Sequence, residues 1–253
     1  MAASLRSLTR TSIFACCASV ATLWAGAPLE GLILPVRQVE VSAPVASRLQ
    51  EVKVKEGDAV KAGQPLAQLY GRLEELEMQR AKTLLERREF EAKGAKRLFE
   101  NRIIPEAKAL ESRIELDLAR LQFETAAEQV RLRTILAPMD GVVLAPLGDA
   151  AASRAREAGE AVAAAQPLFR ILDLSRVVVQ VAADPATLDG LAPGRKVRVT
   201  LLQAAPPSEV EGEVVLVDPC ADADGKVRVR VVVENPGNRI RAGLRARVDL
   251  ASR

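Results

Sequence analysis

Apolar and polar positions change their spacing twice along the chain, and the changes divide it. From Val39 to Leu69 short runs alternate, as in Val39-Glu-Val41 and Leu49-Gln-Glu-Val52-Lys-Val54, with turns at Glu56-Gly57-Asp58 and Ala62-Gly63-Gln64-Pro65. A period of two predicts half-buried strands. Between Arg72 and Arg133 helical intervals take over: Leu73, Leu76, Leu84, Phe90 and Leu98 share one stripe, and Ala107, Leu110, Ile114, Leu118 and Leu121 a second. This stretch holds no glycine but Gly94 and no proline but Pro105, and Glu89 and Lys93 stand four apart on its wet side. The break lies at Asn101-Arg102-Ile103-Ile104-Pro105, because Pro105 disfavours helix at Ile104 and is tolerated where a new helix begins. Two antiparallel helices of about 28 residues, each roughly 40 Å long, are predicted.

After Leu174 alternation returns, in Val177 to Val181, Lys196 to Leu201, Val210 to Val217, Lys226 to Val233 and Leu244 to Leu250. Turns separate these runs at Asp189-Gly190, Ala192-Pro193-Gly194, Ala205-Pro206-Pro207, Asp224-Gly225 and Asn235-Pro236-Gly237. Short strands at this spacing predict a small antiparallel barrel, and Asp184 to Leu191 fits a short helix.

The stretches on either side of the helical segment resemble each other. Glu56 to Leu66 reads EGDAVKAGQPL and Ala158 to Leu168 reads AGEAVAAAQPL, so that Gly57, Ala59, Val60, Ala62, Gln64, Pro65 and Leu66 meet identical residues. Upstream, Ala43-Pro44 corresponds to Ala137-Pro138, with extra residues around Ala150 to Arg156 in the second copy. Each copy is half of a repeated unit, too small to bury a core alone, so the halves are expected to pack on each other. The helices then form an insertion that leaves one small β domain and returns to it.

Composition narrows the chemistry. The 253 residues are 49% hydrophobic and 27% charged, a globular balance. Arg6 and Arg10, the apolar run Thr11 to Trp24 and the small-residue pattern Ala25-Gly26-Ala27 read as a cleaved secretory signal over residues 1–27. A retained anchor and lipidation at Cys16 are the alternatives; the apolar run is shorter than the roughly 20 residues that span a bilayer. Cleavage lowers the net charge from +3 to about +1 and leaves Cys220 as the single cysteine, which excludes an internal disulfide. There is no histidine, so histidine-based catalysis and histidine metal sites are excluded. Cys220 has no activating histidine and reads as an ordinary thiol, and Asp222-Ala-Asp224-Gly225 lacks the first and last ligands of a calcium loop. The near-neutral charge and few aromatic residues argue against nucleic acid as a partner.

The ordered set Val54-Lys-Glu-Gly-Asp-Ala-Val60, Ile135-Leu-Ala-Pro-Met-Asp-Gly-Val-Val143, Leu172-Asp-Leu174 and Asn235-Pro-Gly-Asn-Arg-Ile-Arg-Ala-Gly-Leu244 resembles the periplasmic adaptor family, also called membrane fusion proteins or hemolysin-D-like proteins. The resemblance covers roughly residues 39–251. It implies a mainly β fold with an α-helical coiled-coil hairpin, in an elongated modular arrangement. The implied divisions are the signal peptide at 1–27, an N-terminal leader at 28–38, a lipoyl-like domain in halves 39–70 and 134–174, the hairpin at 71–133 and a β-barrel at 175–253.

Such a protein does no chemistry and holds no cofactor. The resemblance implies a periplasmic ring of copies, associated with the inner membrane, that joins an inner-membrane transporter to an outer-membrane channel. A proton-driven RND-type efflux pump and an ABC-type exporter both remain open as the transporter. Hairpin tips of the family meet the channel, which singles out Arg97, Leu98, Arg102, Ile103, Ile104 and Pro105; the family's tip pattern is Arg-Leu with a serine further on, and here Pro105 takes the serine position. With the chain ending at Arg253, contact with the pump is expected to rest on the barrel and any N-terminal anchor. A lipoyl or biotinyl carrier is the reading from another class. It needs a lysine on a tight hairpin between the halves, but Lys53, Lys55 and Lys61 lie on or beside strands of the first half and the helices replace that hairpin.

Overall fold

The structure, a computed structural model, describes residues 29–146, 156–188, 191–202 and 208–250. The expected signal at 1–27 and most of the extra residues of the second repeat copy lie outside the described residues. Strands are β1 (Leu29–Ser42), β2 (Ser47–Val52), β3 (Ala59–Val60) and β4 (Pro65–Leu69), followed by helices α1 (Arg72–Glu100) and α2 (Glu106–Arg131). Then come β5 (Thr134–Leu136), β6 (Gly141–Leu144), β7 (Ala161–Val162), β8 (Pro167–Ala183), β9 (Lys196–Leu201), β10 (Ser208–Ala221), β11 (Val227–Glu234) and β12 (Arg245–Asp249). A single 3-10 turn, Pro185–Thr187, occupies the place of the expected short helix after Asp184.

The smaller β unit encloses one core built from both repeat copies. Leu49, Val60, Leu66 and Leu69 of the first copy share it with Ile135, Val143, Val162, Leu168 and Ile171 of the second. The two copies close on each other by exchanging the same bonds. The Gly57 amide donates to the Val143 carbonyl at 2.8 Å, and the matching Gly159 amide donates to Leu49 at 2.7 Å. Gly63 donates to Ala137, and its counterpart Ala165 donates to Ala43, each at 2.8 Å. Short strands follow suit: β3 pairs with β6, and β7 pairs with β2.

This approximate two-fold imposes backbone conformations as well as contacts. Gly57 and Gly159 adopt φ of 93° and 96°, the left-handed region that glycine enters without a Cβ penalty. Gly63 does the same at 79°, but the equivalent Ala165 is forced to 61°.

The barrel holds six strands in closed antiparallel order, β1-β12-β9-β10-β11-β8, with β8 pairing back onto β1. Closure removes exposed strand edges and leaves alternate residues inside, so Ile33, Val179, Val199, Val214, Val231 and Val248 fill the lumen. Of residues 28–38, expected as a leader, the described part from Leu29 onward is instead β-strand. The first half of β1 is a barrel strand, with Leu29 opposite Val248 and Gly31 opposite Val181. The same strand shifts register between Pro35 and Arg37, then continues beside β8 in the smaller unit as far as Ser42. Both β1 and β8 therefore run through the two β units without interruption.

At the crossing, Asn235 is the one buried polar side chain among the described residues, 1% exposed. Its amide donates to the Leu174 and Ile240 carbonyls at 2.8 and 3.0 Å, and its oxygen accepts the Ile240 amide at 2.8 Å. Asp173 sits beside it on β8, taking bonds from the Ser175 hydroxyl and amide and from Arg37 of β1. Burial alone would raise its carboxyl; the Ser175 bonds, then Arg37, outweigh that and hold it below the ordinary carboxylate range.

The repeat yields a stability test. A Cβ at residue 63 meets nothing within 4 Å, so substitutions there report conformation alone. Ala165→Gly is expected to stabilise the fold by about 0.5–1 kcal/mol and Gly63→Ala to destabilise it by ~1 kcal/mol. Urea midpoints of the two variants check both signs; equal shifts in one direction would contradict the symmetry argument.

Candidate functional site

The helix pair leaves the smaller β unit from two neighbouring strands. β4 and β5 pair through Gln68 and Thr134, and the Leu69 amide donates to the Arg133 carbonyl at 2.7 Å, which sets the two helix ends side by side. Arg133 also bonds the Glu74 carboxylate and the Tyr70 carbonyl, tying the first turn of α1 to the end of α2. A Cβ on Gly71 would lie 2.7 Å from the Arg133 side chain, so the guanidinium stem packs where only glycine leaves room.

Beyond this base the helices pack on one another along a seam of seven-residue period. It takes Met78, Ala81, Leu85, Arg88, Ala92 and Ala95 from α1, and Ser112, Leu116, Ala119, Phe123, Ala126 and Val130 from α2, all at least half-buried. Alternate steps of three and four are the spacing of two helices in register along a coiled coil. Alanine is the commonest seam residue, at Ala81, Ala92, Ala95, Ala119 and Ala126, because small side chains let the backbones approach. The stripes read from the sequence are corrected accordingly. Leu73, Leu76, Phe90 and Leu98 of α1 and Leu110, Ile114, Leu118 and Leu121 of α2 lie outside the seam, with Phe90 79% exposed.

One charged group enters the seam. Arg88 bonds Glu91 on its own helix and Glu115 on α2, both at 2.7 Å, and Glu91 also takes a 2.8 Å bond from Arg87. The bond to Glu91, then the charge of Glu115, raise the Arg88 pKa, and the bonds from Arg87 and Arg88 hold the Glu91 carboxyl below its usual range. The ions fix the relative height of the helices, because any slip separates Arg88 from Glu115.

At the far end all six residues singled out from the sequence come together in the last turn of α1 and the connection to α2. The chain stops the helix with a paired-bond cap: the Arg102 amide donates to Phe99 and the Ile103 amide to Leu98, each at 2.8 Å. That cap needs a left-handed residue after Asn101, and Arg102 takes the position with φ of 59° although glycine is the usual occupant. Ile103 is then thrown outward, 66% exposed, with Ile104 half-buried behind it. Pro105 precedes the first helical residue, Glu106, and its carbonyl accepts the Lys108 amide at 3.1 Å. Phe99, 41% exposed, also belongs to this end, and helical spacing alone does not single it out. The strained Arg102 is a feature sequence signals only through the absence of glycine at a helix stop.

No group of three or more metal-ligating side chains occurs among the described residues, and no described helix is long and apolar enough to cross a membrane. The end of the helix pair away from the β units exposes Phe99 and Ile103.

Residues 176–253 match the family described as the CusB-like β-barrel domain. The chain is 25% identical over 216 residues to the nickel-cobalt-cadmium resistance protein NccB of Alcaligenes xylosoxydans xylosoxydans, covering 83% of this chain and 53% of that protein. It is 26% identical over 236 residues to the nickel and cobalt resistance protein CnrB of Cupriavidus metallidurans, covering 88% and 57%. The chain thus spans little more than half the length of these curated relatives. Among solved structures, a MacA-MexA chimera carrying the Pseudomonas aeruginosa MexA α-hairpin domain superposes with a TM-score of 0.74 at 21% identity, over 87% of this chain and 79% of the other. ZneB of Cupriavidus metallidurans gives 0.54 at 21% identity, over 87% and 96%. These likenesses concern the fold. With the barrel match at one end and relatives along most of its length, the chain is similar to the periplasmic adaptor, or membrane fusion protein, family.

Proposed function

We propose that the chain is a non-catalytic periplasmic adaptor that links an inner-membrane transporter of the RND type to an outer-membrane channel. The smaller β unit serves as a split lipoyl-like domain, the helix pair as the hairpin, and the end at Arg97 to Pro105 as the channel contact. Side-by-side copies in a ring complete the assembly, at the periplasmic face of the inner membrane after removal of residues 1–27.

The observation that carries this reading is the helix end. An isoleucine two-thirds in solvent, next to an arginine held in a conformation that costs roughly 1–2 kcal/mol, has no purpose in the isolated fold. Both make sense as a surface shaped for another protein. The transporter type is supported by the barrel, whose matched family is CusB-like, and this favours an RND pump over the ABC alternative. Two curated relatives carry nickel and cobalt in their names, which makes divalent metal the cargo class we assign.

Replacing Ile103 and Ile104 with aspartate is expected to abolish co-purification of the outer-membrane channel from crosslinked envelopes while circular dichroism stays unchanged; undiminished recovery would count against the tip as the contact. Arg102→Gly is expected to raise the thermal stability of the helix pair by about 1 kcal/mol and to weaken channel recovery. A variant that gains stability with full recovery removes Arg102 from the contact. Deleting the gene is expected to sensitise its host to nickel and cobalt, and unaltered tolerance of both would redirect the cargo assignment.

A further inference from the structure

The barrel has two unlike outer sides. Its inward positions are apolar, and the outward ones, every second residue, are left to suit whatever surrounds the barrel. Across β12, β9 and the first half of β10 they suit water: Lys196 pairs with Glu211 at 3.1 Å, Arg198 with Glu209 at 3.5 Å, and Arg247 reaches Glu30 of β1 at 3.2 Å. On this side charges satisfy one another between neighbouring strands.

Across β11, β8 and β1 the outward rows differ. Val178 stands opposite Val232 on one side and Leu34 on the other, so three adjacent strands put an apolar residue outward at one level. One step toward the barrel end that holds Leu29, residues Leu216, Arg230, Gln180 and Leu32 fall opposite one another in turn. Leu32 is 44% exposed and Leu216 37%, and the register shift of β10 before Leu216 leaves Val215 beside it 53% exposed. Pairing of β10 with β9 ends at Glu213, so among the described residues no strand covers this flank. Arg228 and Arg230 border the apolar rows, both exposed and neither in an ion pair among the described residues. Glu213, opposite Val232 and diagonal to Arg230, does not pair with it. Large apolar residues on the outside of a closed barrel need cover, and unpaired guanidinium groups beside them set the charge of that cover.

We propose that the β11–β8–β1 face of the barrel, and not its ion-paired side, docks the inner-membrane transporter, which meets it with an apolar surface flanked by carboxylates. The inference rests on the adaptor reading for the identity of the partner. What it adds is the face, the side chains and the charge of the surface they fit. A second copy fits less well, because the ion-paired side of its barrel has carboxylates already engaged by Lys196, Arg198 and Arg247. Arg228 and Arg230 offer planar, bidentate donors that fix position against a carboxylate, while Leu32, Leu34, Val178 and Val232 supply the area from which water is displaced. The arginines then govern how selectively the partner is found, and the apolar rows govern how long it stays.

Crosslinking of the full chain in native envelopes tests the face. With the photoreactive benzoylphenylalanine in place of Leu32, the chain is expected to attach to an RND-type permease identified by peptide mass spectrometry; in place of Thr200, on the ion-paired side, it is expected not to. Arg228→Glu with Arg230→Glu is expected to lower permease recovery roughly tenfold, and Leu32→Asp to lower it in a chain that keeps both arginines. Lys196→Glu with Glu211→Lys, which swaps an ion pair on the other side, is expected to leave recovery unchanged. Circular dichroism of every variant reports that the barrel persists, and the outer-membrane channel is recovered from the same samples. Crosslinks from position 32 that reach only a second copy, equal loss on swapping the ion pair, or full permease recovery by the arginine and Leu32 variants overturns the face assignment, while channel and permease recovered together by wild type keep the adaptor role standing. A wild type that recovers neither overturns the adaptor role and the face with it.

Discussion

The helix pair is a 60-residue-scale excursion whose two ends must be held within one strand spacing, about 5 Å, of each other. That condition is met by the reciprocal exchange of backbone bonds between the two repeat copies. Gly57 reaches Val143 while Gly159 reaches Leu49, and these paired bonds bring together segments separated by the whole insertion. With the copies locked, β4 and β5 become neighbours, and Gly71 and Arg133 start and finish the helices from one place. Without the lock the loop-closure entropy of the insertion would have to be met by the helices alone.

The helices themselves are thinly held. Ala119 and Ala126 are the fully buried residues of α2 and α1 has none, so burial contributes little per turn. Direction comes from spacing and from the Arg88–Glu115 bond more than from apolar area. Large apolar side chains are placed on the outside, where they remain available to other chains. A seam of alanines thus serves two ends: it keeps the pair slender and it leaves leucine, isoleucine and phenylalanine for the surfaces.

Much of the fold was legible because its rules are local. Seven coincidences between Glu56–Leu66 and Ala158–Leu168 announce two equivalent turns, and the structure gives those turns the same bonds. Pro105 and the lack of other breakers mark two helices, and the six residues singled out fall in the last turn of α1 and the connection to α2. What stayed hidden was decided at long range. The seam was misjudged because hydrophobicity favours Leu73 or Phe90 over Ala81 and Ala92, whereas close packing favours the small residues. The first half of β1 escaped because Gly31 and Pro35 interrupt alternation, and its partners, Val248 and Val181, lie far along the chain. Arg102's backbone conformation follows from two hydrogen bonds of the cap, and its one signature in residue type is the lack of a glycine at the helix stop.

The uninterrupted passage of β1 and β8 through both β units makes the junction a torsion bar and not a tether. A linker would let the barrel swivel freely; two hydrogen-bonded strands transmit a twist from one unit to the next as backbone rotation. Their compliance is concentrated at the register shift beside Val36, and Asn235 with Asp173 stiffens the opposite strand at the same level. Rotation of the barrel is therefore coupled through backbone pairing to the unit from which the helices leave.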